Sequence, residues 1–199
     1  PIVIPHFFSK PHVGSLDLLS FSIPAAFAGF FSGFMIWVDR VFVGYYLTAF
    51  DAGVYQAVSQ ISILFTIILG ASNTIFAPMI ANLFNSGKIN QIEELYRIST
   101  KWGIYLSIPV ILVILFAAPE ILVVIFGEPY IVGDVSLIVL SIAQIVNVST
   151  GAVGFLLIMT GMQSLWMFLS GFMLFLNILL CVILIPRFGI LGAAVSTSI

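Results

Sequence analysis

The side chains with the most chemical capacity in this chain are few, and they interrupt long apolar runs. Asp39 and Arg40 stand side by side at the close of an uncharged stretch from Leu18 to Val38. Ser59, Ser62, Thr66, Gly70, Asn73 and Ala77 recur at steps of three or four, which puts all six on one helical face. Ser141, Gln144, Asn147, Gly151 and Gly154 repeat the pattern in a second run, and Ser170, Asn177 and Cys181 do so more sparsely in a third. Uncharged amides and hydroxyls inside hydrocarbon cost free energy unless they meet protein or a hydrated cavity. The stripes therefore suit the lining of a polar path, and they equally suit helix packing, in which small residues let backbones approach. The Ser22, Ala26, Gly29, Gly33 stripe of the first run is open to the same two readings, with Gly29 and Gly33 forming a small-xxx-small pair. Asp39-Arg40 also has two: a solvated ion pair beside an interfacial Trp37 anchor, or a charge pair at the mouth of a translocation path.

Enzyme chemistry finds little to work with. His6 and His12 are far in sequence from any acidic cluster, and there is no CxxC, HExxH, P-loop or GxSxG. Cys181 is the single cysteine, so it makes no internal disulfide and reads as a small buried apolar residue. We expect no catalytic residue, no cofactor and no metal.

The elements that must hold these groups follow from composition. Of 199 residues, 61% are hydrophobic and 7% charged, against about 25% charged in soluble domains. A net charge of −2 leaves no electrostatic footprint for nucleic acid. The chain reads as an integral membrane protein, all-α, a polytopic helix bundle; continuously apolar runs disfavour a transmembrane barrel, whose strands alternate. A helix needs about 20 apolar residues to cross the bilayer, which places spans at about 16–38, 52–84, 102–118, 135–160 and 165–185, with an incomplete one at 189–199. Pro24, Pro78 and Pro109 fall inside spans and predict kinks. Asn90 and Glu93 have capping-box spacing, so a cytoplasmic surface helix is expected to start there and run into the third span. Phe126 to Tyr130, with Gly133, predicts a re-entrant or short interfacial turn between the third and fourth spans.

If the spans alternate, Lys10, Lys88, Arg97 and Lys101 lie on one side and Arg40 and Arg187 on the other, which makes the first side cytoplasmic. The chain begins without Met and ends within an apolar run, and is expected to be a piece of a longer polypeptide.

The order of signals resembles a known family. Ser22-Ile23-Pro24 leads through Val38-Asp39-Arg40 to Val43-Gly44, then Gly53-Val54-Tyr55 and Pro78 before Asn85-Ser86-Gly87-Lys88. Glu94-Leu95-Tyr96, Thr100-Lys101-Trp102 and Ser107-Ile108-Pro109 follow, then Glu120-Ile121-Leu122, Phe126-Gly127 with Tyr130, Gly151, and Thr160-Gly161. Asn177 and Leu184 to Ala194 close the series. This is similar to the carboxy-terminal half of Wzx-type oligosaccharide flippases, of the multidrug/oligosaccharidyl-lipid/polysaccharide exporter superfamily, from about Ser15 onward. The resemblance implies two six-helix lobes around a cavity, of which this chain is one lobe with its last helix cut short: an inter-lobe cytoplasmic linker at 1–15, then the lobe at 16–199. It implies a glycan on a polyprenyl pyrophosphate carrier, flipped across the cytoplasmic (inner) membrane by alternating access for polysaccharide biosynthesis, lipopolysaccharide among its products. The partners would be that lipid-linked oligosaccharide, membrane lipids and the missing amino-terminal lobe, with no nucleic acid.

On this reading the path residues are Asp39, Arg40, Ser62, Thr66, Asn73, Gln144, Asn147 and Asn177, and Asp39 is the position to examine for ion coupling. One departure is the scarcity of cations for a pyrophosphate: only Arg40, Arg97, Lys101 and Arg187 are near plausible paths. The alternative within the superfamily, a multidrug/cation antiporter, calls for a carboxylate deep in a helix, and none is expected here. A membrane glycosyltransferase would want large outer loops, and these loops are short.

Overall fold

The computed structural model describes residues 15–151 and 153–198, apart from the side chains of 15–18, 21, 68, 69, 72 and 73. The proposed linker, with His6, Lys10 and His12, thus lies outside the described residues, as does the side chain of Asn73. Seven helices are present among the described residues, with no strand: α1 Ser15–Tyr46, α2 Ala49–Asn85, α3 Ile89–Phe126, α4 Asp134–Thr150, α5 Val153–Met159, α6 Gln163–Phe188 and α7 Ile190–Ser198.

Local chemistry sets the boundaries. Between α1 and α2, Thr48 accepts from the backbone N–H of Asp51, and the Asp51 carboxylate accepts from the N–H of Thr48, a reciprocal cap. Gly87, Gly127 and Gly189 follow α2, α3 and α6 with φ of 70°, 98° and 62°, conformations open to glycine at little cost. After Gly127 a 3-10 turn, Glu128–Gly133, leads into α4. α1 packs along α6, α3 along α4 and α2, and α7 along α6 and α4. Val54, Val58, Phe65, Leu122, Leu137 and Ile185 form the heart of the buried cluster. Large apolar side chains also cover the outside, Phe116 and Val124 being more than four-fifths exposed. Among the described residues four stretches are long and apolar enough to cross a membrane: Ser22–Tyr46, Ile89–Phe126, Glu128–Met159 and Gln163–Phe188. Apolar surface outside and apolar packing inside make this a multi-pass membrane helix bundle.

Several expectations need correction. α1 does not end at Val38; it continues through Asp39 and Arg40 to Tyr46, because a charged residue ends a helix only where its side chain must reach water, and Asp39 finds partners within the bundle. Asn90 caps nothing: α3 starts at Ile89, its N-cap Lys88 makes no side-chain bond, and Glu93 pairs instead with Arg97 at 3.0 Å. Residues 135–160 are not one helix. Gly151 breaks the run with φ 69°, and the Tyr96 hydroxyl donates to the freed Thr150 carbonyl. Within α3 the non-helical residue is Ala117 (φ −132°, ψ 25°), two before Pro119, and not a residue at Pro109. Gly29 and Gly33 have no atom within 4 Å of where a Cβ would sit, so among the described residues no other helix packs against these two glycines.

Candidate functional site

Four helices bring polar side chains to one point in the bundle. Asp39 enters from α1, seven residues before its end at Tyr46, hence about 10 Å along the axis. Tyr55 comes from the first turns of α2. Asn177 and Cys181 are spaced i, i+4 on α6 and so share a face. Thr197 comes from α7, which turns back against α6 after Gly189. Gly192 makes that return possible: a Cβ there would strike the Leu184 carbonyl oxygen of α6.

The geometry centres on the Asp39 carboxylate, which is 3% exposed. Its Oδ1 accepts from Asn177 Nδ2 at 3.0 Å and from Cys181 Sγ at 3.3 Å. Its Oδ2 accepts from Thr197 Oγ1 at 2.8 Å and from Tyr55 Oη at the longer distance of 3.4 Å. The donors are tied to one another and to backbone. Tyr55 Oη and Thr197 Oγ1 are 2.7 Å apart, Asn177 Nδ2 also reaches the Ser196 carbonyl at 3.3 Å, and Thr197 Oγ1 reaches the Ala193 carbonyl at 2.9 Å. Tyr55, Asn177 and Cys181 are buried, whereas Thr197 is exposed, so the cluster reaches the surface of the chain at that residue.

Every partner of Asp39 is neutral. Among the described residues the single ion pair is Arg97–Glu93, on an exposed face. Arg40, next in sequence, lies over the Trp37 ring instead, 4.9 Å from its centre. The expected Asp39-Arg40 charge pair is therefore absent. A carboxylate deep among apolar helices with no fixed counter-charge is expensive to keep ionised. The arrangement can take up a proton, or a small cation among the oxygens of Asp39, Thr197 and the nearby carbonyls, and release it again.

Of the residues expected on a path, the structure brings Asp39 and Asn177 into contact. Ser62 is buried, with its hydroxyl turned to the Val58 carbonyl. Thr66 and Asn147 are exposed on this chain, Gln144 is half-buried, and Asn147 donates to Gln144 at 3.2 Å on α4. Hydrogen bonds do not link these four to Asp39. Tyr55, Cys181 and Thr197 were missed. Cys181 is buried as expected, but its thiol points at a carboxylate. Its i, i+4 spacing from Asn177 was the available signal; for Tyr55 and Thr197 only the fold supplies one. Two open apolar grooves, about 470 Å³ between α1 and α6 and about 370 Å³ between α2 and α3, include none of the Asp39 cluster.

Asp39 also corrects the expectation that no carboxylate lies deep in a helix, the ground on which the antiporter alternative was set aside. Similarity to known proteins bears on that question. The chain is 22% identical to the capsular polysaccharide biosynthesis protein CapF of Staphylococcus aureus, over 92% of this chain and 46% of that protein. It is 31% identical to the probable low-salt glycan biosynthesis flippase Agl15 of Haloferax volcanii, over 90% of this chain and 37% of that protein. It is 26% identical to the probable flippase AglR of the same organism, over 81% and 34%. The chain thus spans between a third and a half of the length of these relatives. No solved structure matches it. The sequence model of one family, described as polysaccharide biosynthesis protein, matches residues 7–132, more than half of the chain. This chain belongs to the polysaccharide biosynthesis protein family.

Proposed function

We propose that this chain is the carboxy-terminal lobe of a transporter that flips lipid-linked oligosaccharide across the cytoplasmic membrane by alternating access, with the Asp39 cluster as its ion-coupling site. The observation that carries the reading is the buried Asp39 carboxylate with neutral donors on both oxygens and no fixed cation. A static role would be served as well by an amide, whereas a carboxylate in such a place can exchange a proton or a small monovalent cation. Binding an ion there bears on α1, α2, α6 and α7 together. It biases one lobe conformation over another by as much as the ion's affinity differs between them.

The polar residues Thr66, Gln144 and Asn147, exposed or half-buried on this chain, are proposed to line the substrate path with Arg40, and Asn73 is placed there from the sequence alone; Ser62 and Asn177, buried within the bundle, do not line it directly. The names of the relatives support glycan or polysaccharide precursors as cargo and a transporter rather than an enzyme. They do not support the multidrug alternative.

The test uses the full-length protein in proteoliposomes loaded with its lipid-linked glycan. Asp39→Asn should abolish gradient-dependent flipping, and Gln144→Leu with Asn147→Leu should slow it several-fold while expression is kept. A sodium gradient, a pH gradient and neither are compared to identify the ion. Wild-type flipping rates in Asp39→Asn under every gradient would remove the coupling assignment. Normal rates in the double variant would remove those two residues from the path.

A further inference from the structure

α4 and α5 lie along one apolar stretch, Glu128–Met159, yet they are two helices. Gly151, which ends α4, has φ 69° and ψ −158°, a backbone conformation essentially reserved for glycine. A Cβ there would also stand 2.6 Å from Thr100 Oγ1 and 2.9 Å from Tyr96 Oη, both on α3. Tyr96 and Thr100, four residues apart, share the face of α3 that meets the break. Three residues on, Gly103 comes so near α4 that a Cβ would lie 3.0 Å from a Val148 methyl. The break is thus shaped by α3 pressing on the end of α4.

α5 is held differently. It has seven residues and none is buried, whereas α4 buries Leu137, Leu140 and Val148 among others. It rests on α2 and α6, with Trp166 so close to Gly154 that a Cβ there would meet the indole at 2.7 Å. Beyond its far end Gly161 has φ 81° and no atom within 4 Å of its Cβ position among the described residues. Two groups at the break oppose one another. The Thr150 carbonyl, released from the helix, is held by the Tyr96 hydroxyl. Thr100 Oγ1 is buried and has no hydrogen-bond partner among the described residues. A buried hydroxyl without a partner costs free energy that a rearrangement can recover. One contact fixes the present arrangement and one group disfavours it, the balance expected of an element with two arrangements.

We propose that α5 is a gate at the end of the bundle that carries Lys88, Arg97 and Lys101, hinged at Gly151 and latched by the Tyr96 hydroxyl on the Thr150 carbonyl. Latched, α5 lies on α2 and α6. Released, it swings about Gly151 while α4 stays in place, because the buried side chains that anchor α4 all precede the hinge. Asn147 and Gln144 stand about one and two turns before Gly151, so the swing changes what lies beside them without moving them. The inference rests on the transporter reading above for what the gate opens, the substrate path; the hinge and the latch do not depend on it.

The experiment is pulsed electron-spin distance measurement on the full-length protein in nanodiscs, without cargo or gradient. Spin labels are placed on Ile131→Cys and Phe155→Cys, exposed positions on either side of the hinge, while the buried Cys181 stays unlabelled. The labelled parent should show two separations. Tyr96→Phe, which removes the latch and keeps the ring, should raise the released population about fivefold, the effect of one net hydrogen bond. Thr100→Val should lower it by a comparable factor, because the latched state no longer holds an unpaired hydroxyl. Gly151→Ala, which disfavours the break, should leave one separation, that of an unbroken helix. A single separation that Tyr96→Phe leaves unchanged, or a shift in the same direction by Tyr96→Phe and Thr100→Val, overturns the proposal. If Gly151→Ala fails to fold, those two variants decide. Absence of glycan flipping by the parent protein in proteoliposomes would instead strike the transporter reading and leave the hinge standing.

Discussion

Asp39→Asn separates a structural from a functional reading of the buried cluster, and its cost can be worked from the hydrogen bonds. Counting four donors on the carboxylate suggests a large penalty, since an orphaned buried donor costs roughly 1–3 kcal/mol. The network argues otherwise. In the variant, Oδ1 continues to accept from Asn177 and Cys181. The new amide nitrogen donates toward Thr197 and Tyr55, whose hydroxyls can turn to other acceptors. Thr197 has the Ala193 carbonyl at 2.9 Å, and Tyr55 has Thr197 itself at 2.7 Å. Every group keeps a partner, and an uncompensated buried charge disappears. The expected change is within about 1 kcal/mol, which for a chain of this size moves Tm by about 2–4 °C at most. What the variant loses is ion-dependent stability. A site-specific ion at a hundred times its Kd stabilises the protein by about 2.7 kcal/mol, or roughly 5–10 °C in Tm. The assay is thermal unfolding of the full-length protein across a sodium series against choline, repeated across a pH series. The wild type should shift with one of the two variables and Asp39→Asn with neither. A fall of more than about 10 °C in the variant without added ion, or an ion-dependent shift that survives the substitution, would refute this reasoning.

Two glycine contacts give further expectations. Gly192→Ala puts a methyl against the Leu184 carbonyl, backbone that cannot yield like a side chain, so α7 must move. About 1–3 kcal/mol of destabilisation is expected, with loss of the ion-dependent Tm shift because Thr197 leaves Asp39. Gly44→Ala, whose nearest contact would be the Ala52 Cβ at 3.9 Å, is the silent control. Gly133→Ala places its Cβ 2.8 Å from a methyl of Val54 and of Val58. It should lower Tm by a few degrees through overpacking, and Val58→Ala in the same chain should restore part of the loss; an additive further loss would show that the contact is not the cause.

Much of the bundle was legible because membrane helices announce themselves by long uncharged runs, and no alternative to a helix or a closed barrel satisfies the backbone in lipid. The glycine after α2 and the breaker cluster before α4 were equally readable. The failures share a cause. The end of the first span was set at Val38 because a carboxylate and a guanidinium were assumed to need water, and solvation by neighbours 138 and 158 residues away, at Asn177 and Thr197, leaves no trace in local composition. The break at Gly151 was missed for a related reason. A glycine in an apolar run is neutral evidence until Tyr96, more than fifty residues earlier, is seen to take up the carbonyl that the break sets free. The reciprocal cap at Thr48 and Asp51 has capping-box spacing and went unread, the second span being started at residue 52.

The position of the cluster bears on how one ion could act on the whole bundle. α1 and α6 pack along one another, whereas α1 and α7 meet only over a short length. Asp39 spans both junctions, through Asn177 and Cys181 to α6 and through Thr197 to α7. Neutralising the carboxylate with a proton weakens the charge-assisted part of all these bonds at once, and a cation would instead draw the same oxygens together. The short α1–α7 junction has few other contacts to oppose such a change, so it should yield before the long α1–α6 seam does. Motion coupled to the ion is then expected as a displacement of α7 relative to the Tyr46 end of α1, with the α1–α6 pair moving as one body.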